Sequence, residues 1–320
     1  MVEVGLPPGK FGNTKIAILT ITDQEFTAAQ RIFDTPEHIP ASPYFVALNA
    51  KPRDYDIVIR QASERTNTPA SRITSALIED LRPSFIFLIG TAGGVLKDAA
   101  NGTGRDGTRL GDVIAADFID YTEFIKMRGR QNLERKIPHD HPSLYLRESF
   151  VAPYRTVTDW HAWIGEARPP GHAGTPNVTI GNIAAGEKIL SSPTNTYQKF
   201  IVAKFDKALA FETESFGVAH QIFCARCSVH YNPQFLVIRG LSDFVNSVES
   251  DQARQDWTPY AASAASAFAR YVIGKLLDNF PVNPDIPNEK PVNSEVSNHK
   301  PGKRSFGQKL ADAFKQFGEP

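Results

Sequence analysis

The sequence predicts an α/β domain built on a mostly parallel or mixed sheet, followed by a tail of different composition. Short apolar runs alternate with longer amphipathic segments over the first 280 of the 320 residues, the pattern of strands interleaved with helices. Two of the runs, SFIFLIG and FLVIRG, are apolar over most of their length, as strands covered on both faces are. No internal repeat interrupts the alternation, and one domain of this size is ordinary for the class.

Taken in chain order, KIAILTI at 15–21 opens the sheet, and QEFTAAQRIF at 24–33 has the apolar spacing of the first helix. Strands are expected at 44–49 and 56–60, and PASRITSALIEDL at 69–81 forms the second helix. The apolar run 84–89 and the segment 112–118 come next, separated by a glycine-rich polar loop at 96–110. The segment from 127 to 148 holds Arg128, Arg130, Arg135 and Lys136 against Glu134, a basic patch that reads as a solvated loop or as a phosphate-facing or subunit-facing one. Strands at 178–184 and 207–212, a helix at 214–227, a strand at 235–239 and a helix at 257–277 complete the domain, 1–280. From 281 to 302 the chain is rich in Pro, Asn, Glu and Lys and has no Phe, Tyr or Trp, the composition of a flexible linker. In 303–320, Phe306, Leu310, Ala313, Phe314 and Phe317 recur at helical spacing and Ser305 with Gln308 has capping-box form. This amphipathic helix suits docking on a partner protein, on its own domain or on a membrane surface.

Composition narrows the function. Lysine plus arginine number 35 and aspartate plus glutamate 35, so the chain lacks the positive field that nucleic acids or anionic membranes require. Two cysteines make no disulfide framework and suit a reducing compartment. No apolar stretch approaches the ~20 residues of a membrane span, and the N-terminus lacks the pattern of a signal peptide. The expectation is a cytoplasmic protein.

In an open α/β sheet, ligands bind beyond the carboxyl ends of the strands, and four such ends carry polar residues. The first runs into Thr22-Asp23-Gln24-Glu25; Glu25 fits a general base toward water and equally a capping box with Thr22. The strand SFIFLIG ends in Gly90-Thr91-Ala92-Gly93-Gly94, where glycines admit a ligand close to the backbone or form a tight turn. KALAFE ends in Glu212-Thr213-Glu214-Ser215. Its two carboxylates suit vicinal ribose hydroxyls, or the dipole of the helix that follows. FLVIRG ends in Gly240-Leu241-Ser242-Asp243, an aspartate placed as a general acid or as a helix cap.

In their order along the chain, KIAILTITDQEF, FLIGTAGGVL, LGDVIAADFIDY, IGNIAAGEKIL, ALAFETESFGVA, VIRGLSDFVNS and the following WTPYAASAASAFAR resemble the nucleoside phosphorylase/nucleosidase superfamily over residues 15 to 278. The likeness is greatest to the branch of methylthioadenosine/S-adenosylhomocysteine nucleosidases and the nucleosidase domains of immune-effector proteins. The resemblance implies a central mixed sheet curling toward a barrel, a homo-oligomer, and cleavage of a purine N-glycosidic bond without cofactor or metal. It assigns Glu25 to the activation of water and Asp243 to protonation of purine N7, with Ser242 and Arg239 beside it. Glu214 falls on the acid that holds the ribose 2′- and 3′-hydroxyls and Glu212 on a second acid near the sugar. Thr213 replaces a usual methionine, Thr91 takes the hydroxyl position of the glycine-rich segment, and Ile189 and Leu190 flank the base.

Phosphorylases of this family place arginines in the first strand's loop and before the glycine-rich segment. This chain has Thr22–Phe26 and Leu88 there, which favours water as nucleophile. Arg60 or Arg65 could still contact phosphate, so phosphorolysis stays open, as does a non-catalytic nucleoside sensor. Lys126, Arg128 and Lys188 are candidate 5′-phosphate contacts. With the immune-effector likeness they admit AMP or ATP beside the thioether nucleosides as substrates, in which case the enzyme would deplete adenine nucleotides. His139-Asp140-His141 lies in a polar loop without a complete metal-ligand set, and Cys224 and Cys227 read as packing residues.

Overall fold

The computed structural model describes residues 13–34, 37–47, 54–128, 131–226 and 231–279. The linker at 281–302 and the amphipathic helix at 303–320 lie outside the described residues.

The elements in chain order are β1 (Asn13–Thr20), α1 (Asp23–Ile32), β2 (Glu37–His38), β3 (Phe45–Val46), β4 (Asp54–Gln61), α2 (Asn67–Leu81) and β5 (Phe85–Gly94). The short β6 (Leu96–Asp98) and β7 (Thr103–Gly104) follow, then β8 (Val113–Tyr121), β9 (Ile125–Arg128) and β10 (Gln131–Glu134). A single turn α3 (Leu144–Leu146) precedes β11 (Val178–Ala185), α4 (Thr196–Lys204), β12 (Ala208–Glu212), α5 (Ser215–Ala225), β13 (Gln234–Phe244) and α6 (Ser250–Asp278). Nine strands form one mixed sheet in the order β12-β11-β8-β13-β5-β1-β4-β3-β2. Two apolar layers cover it. Leu77, Leu81, Val218 and Ile222 belong to one and Trp160, Phe268, Val272 and Leu276 to the other.

The sheet does not end at β12. Its Ala210 and Phe211 pair antiparallel with Gly94 and Gly93 of β5, so β12, β11, β8, β13 and β5 close into a ring. A closed ring leaves no open edge on those strands. It also gathers the carboxyl ends of β5, β12 and β13 around one mouth. The glycine-rich segment after SFIFLIG is therefore strand and not a tight turn. Gly93 and Gly94 lie between β12 and β13, and a Cβ on Gly93 would stand 2.5 Å from the Val245 side chain.

Two other elements differ from expectation. β13 runs on from the expected 239 to Phe244, and its register against β5 shifts between Leu241 and Asp243. The extra residue is Ser242, and a bulge of this kind re-aims the side chains beside it. Helix α6 begins at Ser250, seven residues before the expected start, and carries Pro259 inside it. Proline marks a first turn well in sequence, which is why the polar turn SDQARQD before it does not read as helix.

The alanine-rich face of α6 (Ala261, Ala264, Ala265 and Ala267, each 0% exposed) lies directly on the sheet. A Cβ on Gly240 of β13 would sit 2.1 Å from the Ala261 carbonyl oxygen. Gly240→Ala must push strand and helix apart, an overpacking cost of about 1–3 kcal/mol. A lowered midpoint in thermal or denaturant unfolding is the expected readout.

Candidate active site

The ring mouth opens into a cavity of about 350 Å3 whose wall includes Glu25, Thr91, Ile189, Leu190, Glu212, Thr213, Glu214, Ser242 and Asp243. Lys188 is also in the wall, whereas Lys126 and Arg128 are not. Those two stand exposed on β9, in the hairpin that β9 makes with β10. This corrects their expected place at the 5′ end of a ligand: both stand outside the cavity wall, exposed on β9.

Glu25 forms the capping box and also stands in the cavity wall. The Thr22 side chain caps α1 at the Glu25 N–H, and Glu25 Oε2 accepts from the backbone N–H of Ile21 (3.1 Å) and Thr22 (2.9 Å). Its other oxygen reaches across to β5 and accepts from Thr91 N–H (2.7 Å) and Thr91 Oγ1–H (2.9 Å). The carboxylate is 3% exposed and faces the cavity.

The two acids after β12 divide their work. Glu212 turns back on the start of α5, accepting from the N–H of Glu214 (3.0 Å) and of Ser215, and from Ser215 Oγ–H (2.6 Å). It also receives Nη2 of Arg239. Glu214 points the other way. Its Oε1 accepts from the Thr213 hydroxyl and from Thr66 N–H (3.3 Å), and its Oε2 from Arg239 Nη2 (3.3 Å). Burial pushes the Glu214 carboxyl above the usual range, Glu212 adds to this, and Arg239 pulls it back.

Arg239 is not in the cavity wall. It is wholly buried beneath it, in the middle of β13. Burial draws its guanidinium down, but Glu212, Glu214 and Glu25 together hold it above the ordinary arginine value. A Cβ on Gly90 would lie 2.4 Å from Arg239 Nη1 and 2.6 Å from Glu25 Oε1, so only a residue without a side chain lets these two groups approach.

Asp243 is 1% exposed, and both of its oxygens are engaged. Oδ1 accepts from Ser242 Oγ–H (2.9 Å) and Arg254 Nε (3.2 Å), and Oδ2 from Ser250 Oγ–H (2.7 Å) and Arg254 Nη2 (2.8 Å). Arg254 also donates to the Leu190 carbonyl (3.2 Å) and pairs with Asp251. Arg254 is absent from the residues expected at the site because its turn of α6 does not read as helix. Placed in α6, it falls one turn after Ser250, on the face that meets Asp243.

Lys188 pairs with Glu123 and lies 4.9 Å from the Tyr197 ring centroid. Burial lowers it, but Glu123 outweighs that and holds the ammonium above the ordinary lysine range. Arg60 bonds the Tyr44 hydroxyl (2.8 Å) outside the cavity wall, whereas Arg65 is in the wall. Both ring nitrogens of His139 face backbone carbonyls, of Ile137 and Ile119. Among the described residues no group of three His, Cys, Asp or Glu could hold a metal ion, and no helix is long and apolar enough to cross a membrane. Cys224 is exposed on α5 and is not a packing residue, and Cys227 lies outside the described residues.

Removing Arg239 leaves buried carboxylates without their cation, which typically costs 3–5 kcal/mol. Arg239→Met is therefore expected to lower stability by about that amount, measured by denaturant unfolding. In the double variant Arg239→Met/Glu212→Gln part of the loss returns, because one of the unpaired charges is gone.

No family model matches the chain. Among curated proteins it is 25% identical over 256 residues to an ATP nucleosidase, Cap17, of Escherichia coli strain KTE188, covering 74% of this chain and 47% of that protein. The chain thus spans about half the length of the curated relatives it matches. Among solved structures, a 5′-methylthioadenosine/S-adenosylhomocysteine nucleosidase of Neisseria meningitidis in complex with methylthio-immucillin-A aligns with TM-score 0.60 at 14% identity, over 82% of this chain and 99% of that one. A futalosine hydrolase of Helicobacter pylori aligns with TM-score 0.58 at 17% identity, over 82% of this chain and 98% of that one. With the ring-closed sheet, these likenesses show that the chain has the fold of these nucleosidases.

Proposed function

We propose that the chain is a purine N-ribosyl hydrolase that releases the free base, adenine, from an adenosine derivative. The observation that carries this reading is the convergence of Glu25, Glu214 and Asp243, from three separate elements, on one cavity of ligand size. The named activities of the E. coli, N. meningitidis and H. pylori proteins support it.

Each group has a role in glycosidic cleavage. As the bond to the base breaks, positive charge grows on the ribose and negative charge on the purine. Asp243 protonates N7 of the leaving base. Glu214 accepts from the ribose hydroxyls and, through its charge, favours the oxocarbenium character of the sugar. Glu25 takes a proton from the water that attacks C1′. Thr91 fixes Glu25, Thr213 fixes Glu214, Ser242 fixes Asp243, and Ile189 and Leu190 lie against the base. Glu212 and Arg239 act through Glu214.

Water is favoured over phosphate because the first strand's end presents the Glu25 carboxylate, which repels an anion. Exposed Ile189 (58%), Phe124 (45%) and Val248 (86%) belong to or adjoin segments of the cavity wall. They support the inference that the enzyme works as a homo-oligomer, with a second copy covering this apolar rim.

A second reading, a nucleoside sensor without turnover, is favoured by one observation. Arg254 occupies both oxygens of Asp243, so the aspartate must shed this arginine before it carries a proton to a base. Incubation with adenosine, methylthioadenosine, AMP and ATP, with and without phosphate, separates the readings by quantifying free base. Adenine without phosphate is expected. Binding without release supports the sensor, and release only with phosphate supports phosphorolysis. Asp243→Asn is expected to cut release ~10²–10⁴-fold with folding intact, and Glu25→Gln to cut it likewise. Full activity in Glu25→Gln would leave that residue as a helix cap alone.

A further inference from the structure

The cavity wall carries six acidic side chains and three cations, Arg65, Lys188 and Arg254. Two of the cations are already matched, Lys188 by Glu123 and Arg254 by Asp243 and Asp251. Arg65 is exposed, and among the described residues it has no ion pair or hydrogen bond. An unmatched guanidinium in the wall of an acid-rich cavity calls for an anion from the ligand.

Its position says which part of the ligand. Arg65 precedes Thr66, whose backbone has φ +84° and ψ 165°, a region that a β-branched residue rarely adopts and that costs of order 1–3 kcal/mol. That conformation turns the Thr66 N–H onto Glu214 Oε1. The next residue, Asn67, is locked by its side chain, which donates to the Gly186 carbonyl (2.7 Å) and accepts from Gly217 N–H (2.9 Å). Arg65 is thus held one residue from the amide that touches Glu214, on the connection between β4 and α2. Asp243 is held from elsewhere, by β13 and α6. With the base at Asp243 and the ribose hydroxyls at Glu214, the sugar substituent left for a cation beside Glu214 is the one at C5′.

We infer, on the nucleosidase reading above, that Arg65 selects 5′-nucleotides by binding the first phosphoryl group of the substrate. The planar guanidinium matches two phosphoryl oxygens at once. A thioether or free hydroxyl at C5′ would leave it unmatched. The Asn67 side-chain bonds and the Thr66 N–H bond hold the backbone of the connection, so that Arg65 starts from a fixed point at the cavity wall.

The test compares wild type, Arg65→Ala and Arg65→Lys on adenosine, methylthioadenosine, AMP and ATP, by calorimetric affinity and by kcat/KM for adenine release. In wild type, AMP and ATP are expected to exceed adenosine by about tenfold or more in both measures, the scale of a charge-assisted hydrogen-bonded contact. In Arg65→Ala the AMP-to-adenosine ratio should fall about tenfold, and Arg65→Lys should restore part of it because it keeps the charge but loses the fork. A wild type that treats adenosine or methylthioadenosine as well as AMP overturns the inference. So does a variant that weakens AMP and adenosine alike. If no substrate yields base, the hydrolase reading fails while the affinity ratio still decides the role of Arg65. If none binds, both fail.

Discussion

A guanidinium with no access to water sits under three carboxylates, and the site depends on this arrangement. Arg239 reaches Glu212 and Glu214 directly, and Glu25 contributes to its charge balance. Unpaired, any of these acids would be costly to bury. Held by the protein through both oxygens, the three carboxylates line the cavity in fixed positions. The surroundings fit the same need. Gly90 leaves room for Arg239 and Glu25, Glu212 caps α5, and the Thr213 hydroxyl steadies Glu214 where a methionine would leave it without that donor.

Much of this was legible in the sequence, for physical reasons. Strands covered on both faces are written as apolar runs, so β5 and β13 announced themselves, and the acids at the ends of β1, β12 and β13 marked the mouth. The extent of those strands was hidden. Glycines that follow a strand look like a turn. Gly93 and Gly94 continue as strand because β12 and β13, each more than a hundred residues later in the chain, pair with them on either side. The start of α6 was hidden by its proline and its polar first turn, and Arg254 went with it. Lys126 and Arg128 were misplaced because charge composition carries no information on which way a hairpin points.

At Glu25 a helix cap and a place in the cavity wall do not compete. The third residue of a helix returns one carboxylate oxygen to the cap, and the other is free to reach a neighbouring strand. The same economy holds at β12, where two acids two residues apart serve a helix end and a cavity. In both places the helix dipole and the site draw on the same sign of charge.

The ring closure between β12 and β5 has a consequence for the order of events as the chain folds. Contacts between residues far apart in sequence form only after a large loop has been closed, and such contacts slow folding. The groups around the cavity run from Glu25 near one end of the domain to Arg254 near the other, and the glycines of β5 cannot settle until Phe211 arrives beside them. A nascent or partly folded chain thus lacks a working mouth until nearly all of the domain has been made. On the hydrolase reading, activity is acquired last, as a property of the finished domain.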